Sequence, residues 1–333
     1  RWQVAKEKAS YYWMEEGLTG QYYQWIDSQK LKGDLKAYFI ADYVLWMTKE
    51  ADGVQRLSKE VRAIFWRFLP FPQAKKDELG IKGVFASTSL KPGDAWRWDT
   101  HLTNLPIFYE YRDNKVTDMA EVTFKYNKEY QQIFDLYLTN STVDPKLTPS
   151  KAVTDSMAEF ALGEAAMVQN GNWGWSQVAG VAGNTVTEEN IKMMPIYIGV
   201  DGEEKQSIAV GTENFFSVNS KAPEADQKAS VDFVNWLISS DAGKSAMVND
   251  LGFIPPFSTF SESEQPADPL AKQVVAYMGN SDLYNVAWNF TTFPSKQFKN
   301  TFADALSQYA VGQLEWDKVS EIFVTEWKAE KQG

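Results

Sequence analysis

Residues 158–178 read AEFALGEAAMVQNGNWGWSQV. Their reading decides the fold. SKAVTDSMAEFALG (150–163) carries helical spacing and stops at Gly163, where a glycine just past the last periodic residue closes a helix. AAMVQ (165–169) is short and apolar, a buried strand by length. A turn follows in which Gly171 and Gly174 alternate with Trp173 and Trp175. Glycine-rich turns contribute little to a core, and an indole is costly to leave in water. Two tryptophans on such a turn need cover, which either a partner or packing within the protein would supply.

Outward from this stretch, helices and strands stay mixed, so the class is α/β. Downstream, IKMMPIYIG (191–199) and SIAVGTENFFSVN (207–219) read as strands. Pro223 opens a helix with Val231, Val234 and Ile238 on one face. A second helix follows Ser240 and ends near Gly252, and the four prolines of 253–270 mark an irregular crossing. Phe298, Phe302, Ala305, Leu306 and Tyr309 share a helical face, as do Val319, Ile322, Phe323 and Trp327. Upstream, Tyr126, Tyr130, Ile133, Phe134 and Tyr137 line another. RWDTHLTNLPIFYEY (97–111) is broken at Pro106. AKKDELG ends a helix at Gly80, before a strand over Lys82–Ala86. In 1–70, spacing at Tyr22, Trp25, Ile26 and Gln29 fits a helix, and 35–47 is an apolar run that reads as strand or buried helix alike.

Composition narrows the function. The 333 residues suffice for two domains, and the formal net charge is −11. No basic stripe is present, which excludes a nucleic-acid binder. There is no cysteine, so disulfides and thiolate chemistry are excluded, and His101 alone among histidines leaves a His-based metal site without partners; His101 reads as structural. Neither a P-loop lysine nor the G-x-G-x-x-G spacing appears, so no nucleotide cofactor is expected. Aromatics reach 14 %, with 13 Trp, 15 Tyr and 20 Phe. Part of that is core, and the surplus suits sugar rings, whose C–H faces pack on indoles.

With these segments in order, the chain resembles the solute-binding proteins of ATP-binding-cassette sugar importers, maltose-binding proteins among them. The pattern is a helix ended by a small-residue turn, a strand of A-A/T-M type and N-G-x-W-x-W, here Asn170 to Trp175. After it come MMPIYIG, SIAVGTENFFSVN, the paired helices with GFIPP, and FPSKQFKNTFADALSQYAVGQLEWDKV. The likeness covers roughly 74–333; residues 1–73 depart from it, and no ligand residue is carried over there. It implies a two-lobed periplasmic-binding-protein-like (Venus-flytrap) fold with a hinge and an interlobe cleft. The first lobe would be 1–73 with 206–262, and the second 74–205 with 263–333. It further implies a monomer, outside the cytoplasm, that binds a carbohydrate without catalysis and delivers it to a membrane permease. Signal and lipid-attachment segments are expected to lie outside this sequence.

The same resemblance sets the expected ligand residues. Trp173 matches the tryptophan that stacks on a sugar ring. Trp175 either supports it or touches ligand. Asn172 bonds ligand or caps its own turn. Trp96 and Trp98 form a second stacking wall or a packed helix start. Glu213 and Asn214 face the cleft or stabilise their turn. Trp288 sits where relatives bring in a late aromatic. Aromatic abundance favours an oligosaccharide. A glycoside hydrolase with paired carboxylates, or a lectin-like protein, are the competing classes.

Overall fold

The computed structural model describes residues 73–212, 215–261 and 263–332. The expectations for 1–70, and for Glu213 and Asn214, lie outside the described residues. The chain divides into two compact units, 1–84 and 85–333. In the first, helix α1 (Gln73–Leu79) ends at Gly80, whose φ of +68° a side chain would resist, and Lys76 Nζ donates to the Lys82 carbonyl at 3.2 Å. Strand β1 (Gly83–Phe85) carries the chain into the second unit.

The larger unit is helical around a few short strands. Phe85 bridges Ser141 in parallel, and the Ala86 amide donates to the Met167 carbonyl at 2.8 Å. A π-helical turn (Arg97–Leu102) leads into α2 (Asn104–Asn114). Pro106 therefore starts a helix where a break was expected. In a first turn its missing N–H costs nothing, because that donor has no helical partner. Then come α3 (Asn127–Thr139), α4 (Val153–Ala161), β2 (Ala165–Met167) and α5 (Gly174–Ala179). Gly163 adopts φ +74° just past α4, as a terminating glycine should.

Two expected strands change. Residues 191–199 run without strand pairing, because α8 (Pro269–Met278) captures their backbone with side chains. Gln273 Oε1 accepts from the Met193 amide at 2.8 Å, and the Tyr277 hydroxyl donates to the Met193 carbonyl at 3.1 Å. The strand expected over 207–219 is only β3 (Gln206–Val210), parallel to β4 (Tyr284–Ala287), with Val210 opposite Ala287. Beyond it Phe215 and Phe216 are exposed. Helix α6 (Glu224–Ser239) starts after Pro223 as expected, yet only Leu237 on it is buried. The paired helix after Ser240 is α7 (Asp241–Ser245), and Gly252 closes the segment that follows. Neither α8 nor β4 was anticipated.

The main core is aromatic and comes from 90–200 and 286–327. It is built by α2, α3, α9 (Lys296–Ala310) and α10 (Trp316–Gln332). Phe124 stacks on Phe323 at 4.1 Å, and Phe298, Phe302 and Trp327 close round them. Polar tips are satisfied: Trp327 Nε1 donates to Met119 O and the Tyr130 hydroxyl to Trp98 O. Phe124 itself is left-handed (φ 51°), an outlier for a bulky residue. Buried Glu110 holds it there by accepting the amides on either side, from Thr123 and Lys125.

Candidate functional site

The site begins at the π-helical turn. Its i to i+5 bonding brings residues five apart onto one face, which an α-helix would not do. Trp96, just before the turn, thereby meets His101 with ring centroids 4.8 Å apart, while Arg97 and Trp98 turn inward. Trp98 is 2 % exposed, packs edge-on against Tyr137 at 5.0 Å and donates from Nε1 to the Ser89 carbonyl. This corrects the expectation of a stacking wall at Trp98, since neither face is open to a ligand. Trp96 stays half-buried.

The tryptophan turn docks on the same feature. The Arg97 guanidinium, with no exposed surface, donates to the Gln169 carbonyl at 2.7 Å and to the hydroxyls of Ser156 and Ser89. Burial lowers Arg97 to about 10 against the pull of Asp94; it remains a cation. Its contacts tie the loop entering Asn170 to α4 and to the π turn. Asn170 then donates to Met157 Sδ and accepts from the Gly171 amide. The Trp173 indole folds back over Gly171, where a Cβ would overlap its six-membered ring. Gly171 is thus required by the indole itself, a more local reason than close approach to ligand.

Trp288 arrives from the far end of the sheet. It follows β4, and its amide donates to the Val210 carbonyl at 3.2 Å. Asn104, fully buried at the start of α2, grips the chain on both sides of Trp288: Nδ2 donates to Ala287 O at 3.0 Å and Oδ1 accepts from the Asn289 amide at 2.6 Å. Gly211 lies beneath, where a Cβ would collide with Trp288 Cβ.

These three segments converge on His101. Trp288 lies 4.5 Å from its ring and Trp173 5.8 Å, with Trp96 and Trp173 themselves 6.0 Å apart and Phe290 5.7 Å beyond Trp288. All five rings are half-buried. Interplanar angles run from 49° to 77°, so the rings meet tilted or edge-on. Burial first, then the charges of Arg97 and Lys299, lower His101 to about 3. Its imidazole is neutral at any working pH, able to donate from one nitrogen and accept at the other. A half-buried aromatic surface with one neutral polar group suits an amphipathic ligand.

The other expected residues stand apart. Trp175, the second residue of α5, is half-buried and makes no ring contact among the described residues. Asn172 is half-buried; its carbonyl receives the Trp175 amide at 3.4 Å, while its side chain has no hydrogen bond among the described residues. A shallow apolar groove of about 440 Å³ lies on a different set of residues, Phe216 to Val218 and Phe233 on α6. Its polar lining residues are Ser217 and Ser230, with no titratable or amide side chain, whereas the aromatic cluster holds an imidazole. Among the described residues no cluster of His, Asp and Glu is arranged to hold a metal, and no helix is long and apolar enough to cross a membrane. Sequence reasoning missed Arg97, Asn104, Phe290 and Lys299 as parts of this site. For Arg97 the Trp-Arg-Trp context was a usable signal; for Asn104 none existed, its contact lying 183 residues away.

Comparison with known families adds two findings. A model of bacterial extracellular solute-binding proteins matches residues 79–273, and a model of a domain of unknown function matches 10–133. No curated protein and no solved structure matches the chain. Trp96, His101 and Trp173 fall inside the first match; Trp288, Phe290 and Lys299 lie beyond its end.

Proposed function

The chain belongs to the bacterial extracellular solute-binding protein family, and from that premise we propose that it binds a carbohydrate, an oligosaccharide of several units, on the surface formed by Trp96, His101, Trp173 and Trp288. The family carries a small-molecule ligand, a membrane transporter as partner and a place outside the cytoplasm. The finer reading is that the transporter is an ATP-binding-cassette importer and that the sugar leaves intact. The observation that carries it is the convergence of three half-buried tryptophans on one neutral histidine from segments far apart in sequence. Each indole offers a face to one sugar ring, and several faces favour several rings. Asn172 and Trp175 remain proposed contacts at the margin of this surface; Glu213 and Asn214, outside the described residues, remain proposed contacts from the family resemblance.

The proposed architecture is two lobes closing on the ligand, 1–73 with 206–262 and 74–205 with 263–333. Its support is that the buried residues of the main aromatic cluster come from 90–200 and 286–327, inside the second lobe so drawn, although β3 of the first lobe pairs with β4 and Ala209 packs against that cluster. In 211–262 the described buried residues are only Leu237, Gly243, Met247, Val248 and Pro255.

The test is intrinsic tryptophan fluorescence during titration with neutral mono- and oligosaccharides, with product analysis of the same samples. Saturable change with intact sugar is expected, stronger for tri- and tetrasaccharides than for monosaccharides. Cleaved product would make the protein an enzyme. A flat response across the panel would refute carbohydrate binding.

A further inference from the structure

We propose that the ligand carries an acid group, as in an oligosaccharide of uronic acids, and that Lys299 is the residue that pairs with it; the proposal rests on the carbohydrate reading of the aromatic site. Lys299 lies in the first turn of α9, half-buried, with its ammonium 6.0 Å from the Phe290 ring, next to Trp288. Among the described residues it has no ion pair and its ammonium makes no hydrogen bond. Eight other lysines sit against carboxylates, whereas Lys91, Lys115, Lys146 and Lys296 also lack an ion pair among the described residues. What sets Lys299 apart is its half-buried place beside the aromatic surface.

Its position is also against local preference. A helix N-terminus carries a partial positive charge and favours acids. The first turn of α9 holds no acid and two lysines, Lys296 and Lys299. Helix stability does not explain that choice, and local rules are broken most often where function requires it. Partial burial of Lys299, with its ammonium 6.0 Å from the Phe290 ring, raises the worth of a counter-charge there.

The charges around the site agree. Among the charges acting on His101 are Arg97 and Lys299, both positive. Arg97 is enclosed by Ser89, Ser156 and Gln169, with Asp94 acting on it, so it is not offered to a ligand. Asp99 is buried in the π turn, accepts from the Thr100 hydroxyl and feels Lys299 from a distance. His101 is neutral. Lys299 is left as the cation an incoming anion can reach, in a protein of formal net charge −11 that otherwise repels anions.

The experiment titrates the whole chain with tetrauronates of differing linkage, each beside its neutral methyl ester, and with a sulfated tetrasaccharide. The expected result is that at least one uronate binds about tenfold or more tightly than its ester, as for a partly desolvated ion pair. That preference should shrink with added salt and fall to near parity in Lys299→Met and Lys299→Gln. Lys128→Met, at a surface pair with Asp317, should keep it. A sulfated sugar bound as tightly as the uronate would support the acid-group proposal with charge alone as its basis; uronate well ahead of sulfate would support it with the carboxylate as the group read. Parity between acid and ester, with both bound, would overturn this inference and leave carbohydrate binding intact. A preference that survives in folded Lys299 variants would remove Lys299. No binding of any sugar would overturn both readings.

Discussion

Trp173 and Asp99 show what single side chains decide. Trp173 has its ring braced by Gly171 and its approach set by Arg97, so removing the indole should take away ligand surface and little else. Trp173→Ala is expected to weaken sugar binding by at least about tenfold, ~1.4 kcal/mol, with the far-ultraviolet circular dichroism unchanged; a folded variant of unaltered affinity would remove Trp173 from the site. Asp99 is a different case. Burial pushes its carboxyl up to about 6 from an ordinary 3.8, against the hydrogen bond from Thr100 and the charge of Lys299. A raised carboxyl pKa means the folded state holds its proton longer than the unfolded chain. Its contribution is fully present below about 4 and is lost as pH rises through about 6, costing roughly 2–3 kcal/mol at neutral pH. Asp99→Asn should therefore stabilise the protein at pH 7 to 8 and gain nothing at pH 4, read as urea midpoints across that range. An equal gain at both pH values would show that charge is not the cause.

At the scale of elements, the site is an assembly of three segment ends. The π turn supplies Trp96 and His101, the loop into α5 supplies Trp173, and β4 supplies Trp288. Asn104 is the joint between the first and last, substituting for a strand neighbour at the end of β4. Asn104→Ala leaves Ala287 O and the Asn289 amide unpaired, an expected loss of about 1–3 kcal/mol, and should lower sugar affinity through Trp288 without touching ligand. Asn104→Asp keeps the acceptor for the Asn289 amide but sets a carboxylate oxygen against the Ala287 carbonyl in a buried site. It should therefore cost at least as much as Ala at neutral pH, and less as pH falls and the carboxyl protonates; a loss independent of pH would separate the effect from hydrogen bonding. Much at this scale was legible in the sequence. Helix α4, the stop at Gly163, β2, α3, α9 and α10 follow from spacing and glycine placement. Residues 191–199 were not, because Gln273 and Tyr277, about eighty residues on, take the backbone groups that a strand neighbour would have used.

For the whole molecule, the ligand is expected to act as part of the fold. A ligand bound only by the native state at about a hundred times its Kd adds ~2.7 kcal/mol and should raise Tm by a few degrees. The shift should be largest for the sugar bound most tightly and fall to about half or less in Trp173→Ala at the same ligand concentration. A tight ligand by fluorescence that leaves Tm unmoved would mean binding to unfolded chain or to a contaminant. The segment 211–262 is also a whole-molecule matter. Val231, Phe233 and Trp236 are exposed on α6, as are Phe215 and Phe216 before it, although Val231 was read as sharing an apolar face with Val234 and Ile238. Helical spacing identifies an apolar face and says nothing about what covers it.

The sequence by itself determined the α/β class, the helices of the aromatic core, and the solute-binding resemblance that the family match bears out. It also singled out Trp96 and Trp173 as loop-borne or glycine-flanked indoles, while Trp288 and the ligand role of Trp173 came from the family resemblance. Only the tertiary structure decided that these three meet at His101, that Trp98 belongs to the core, and that Arg97, Asn104 and Lys299 surround the site. The physical reason is range. Caps, spacing and turn residues act over a few neighbours, so they can be read in order along the chain. A guanidinium on a carbonyl 72 residues away, or an amide gripping a strand end 183 residues away, has no local trace; those contacts exist only once the core has brought the segment ends together.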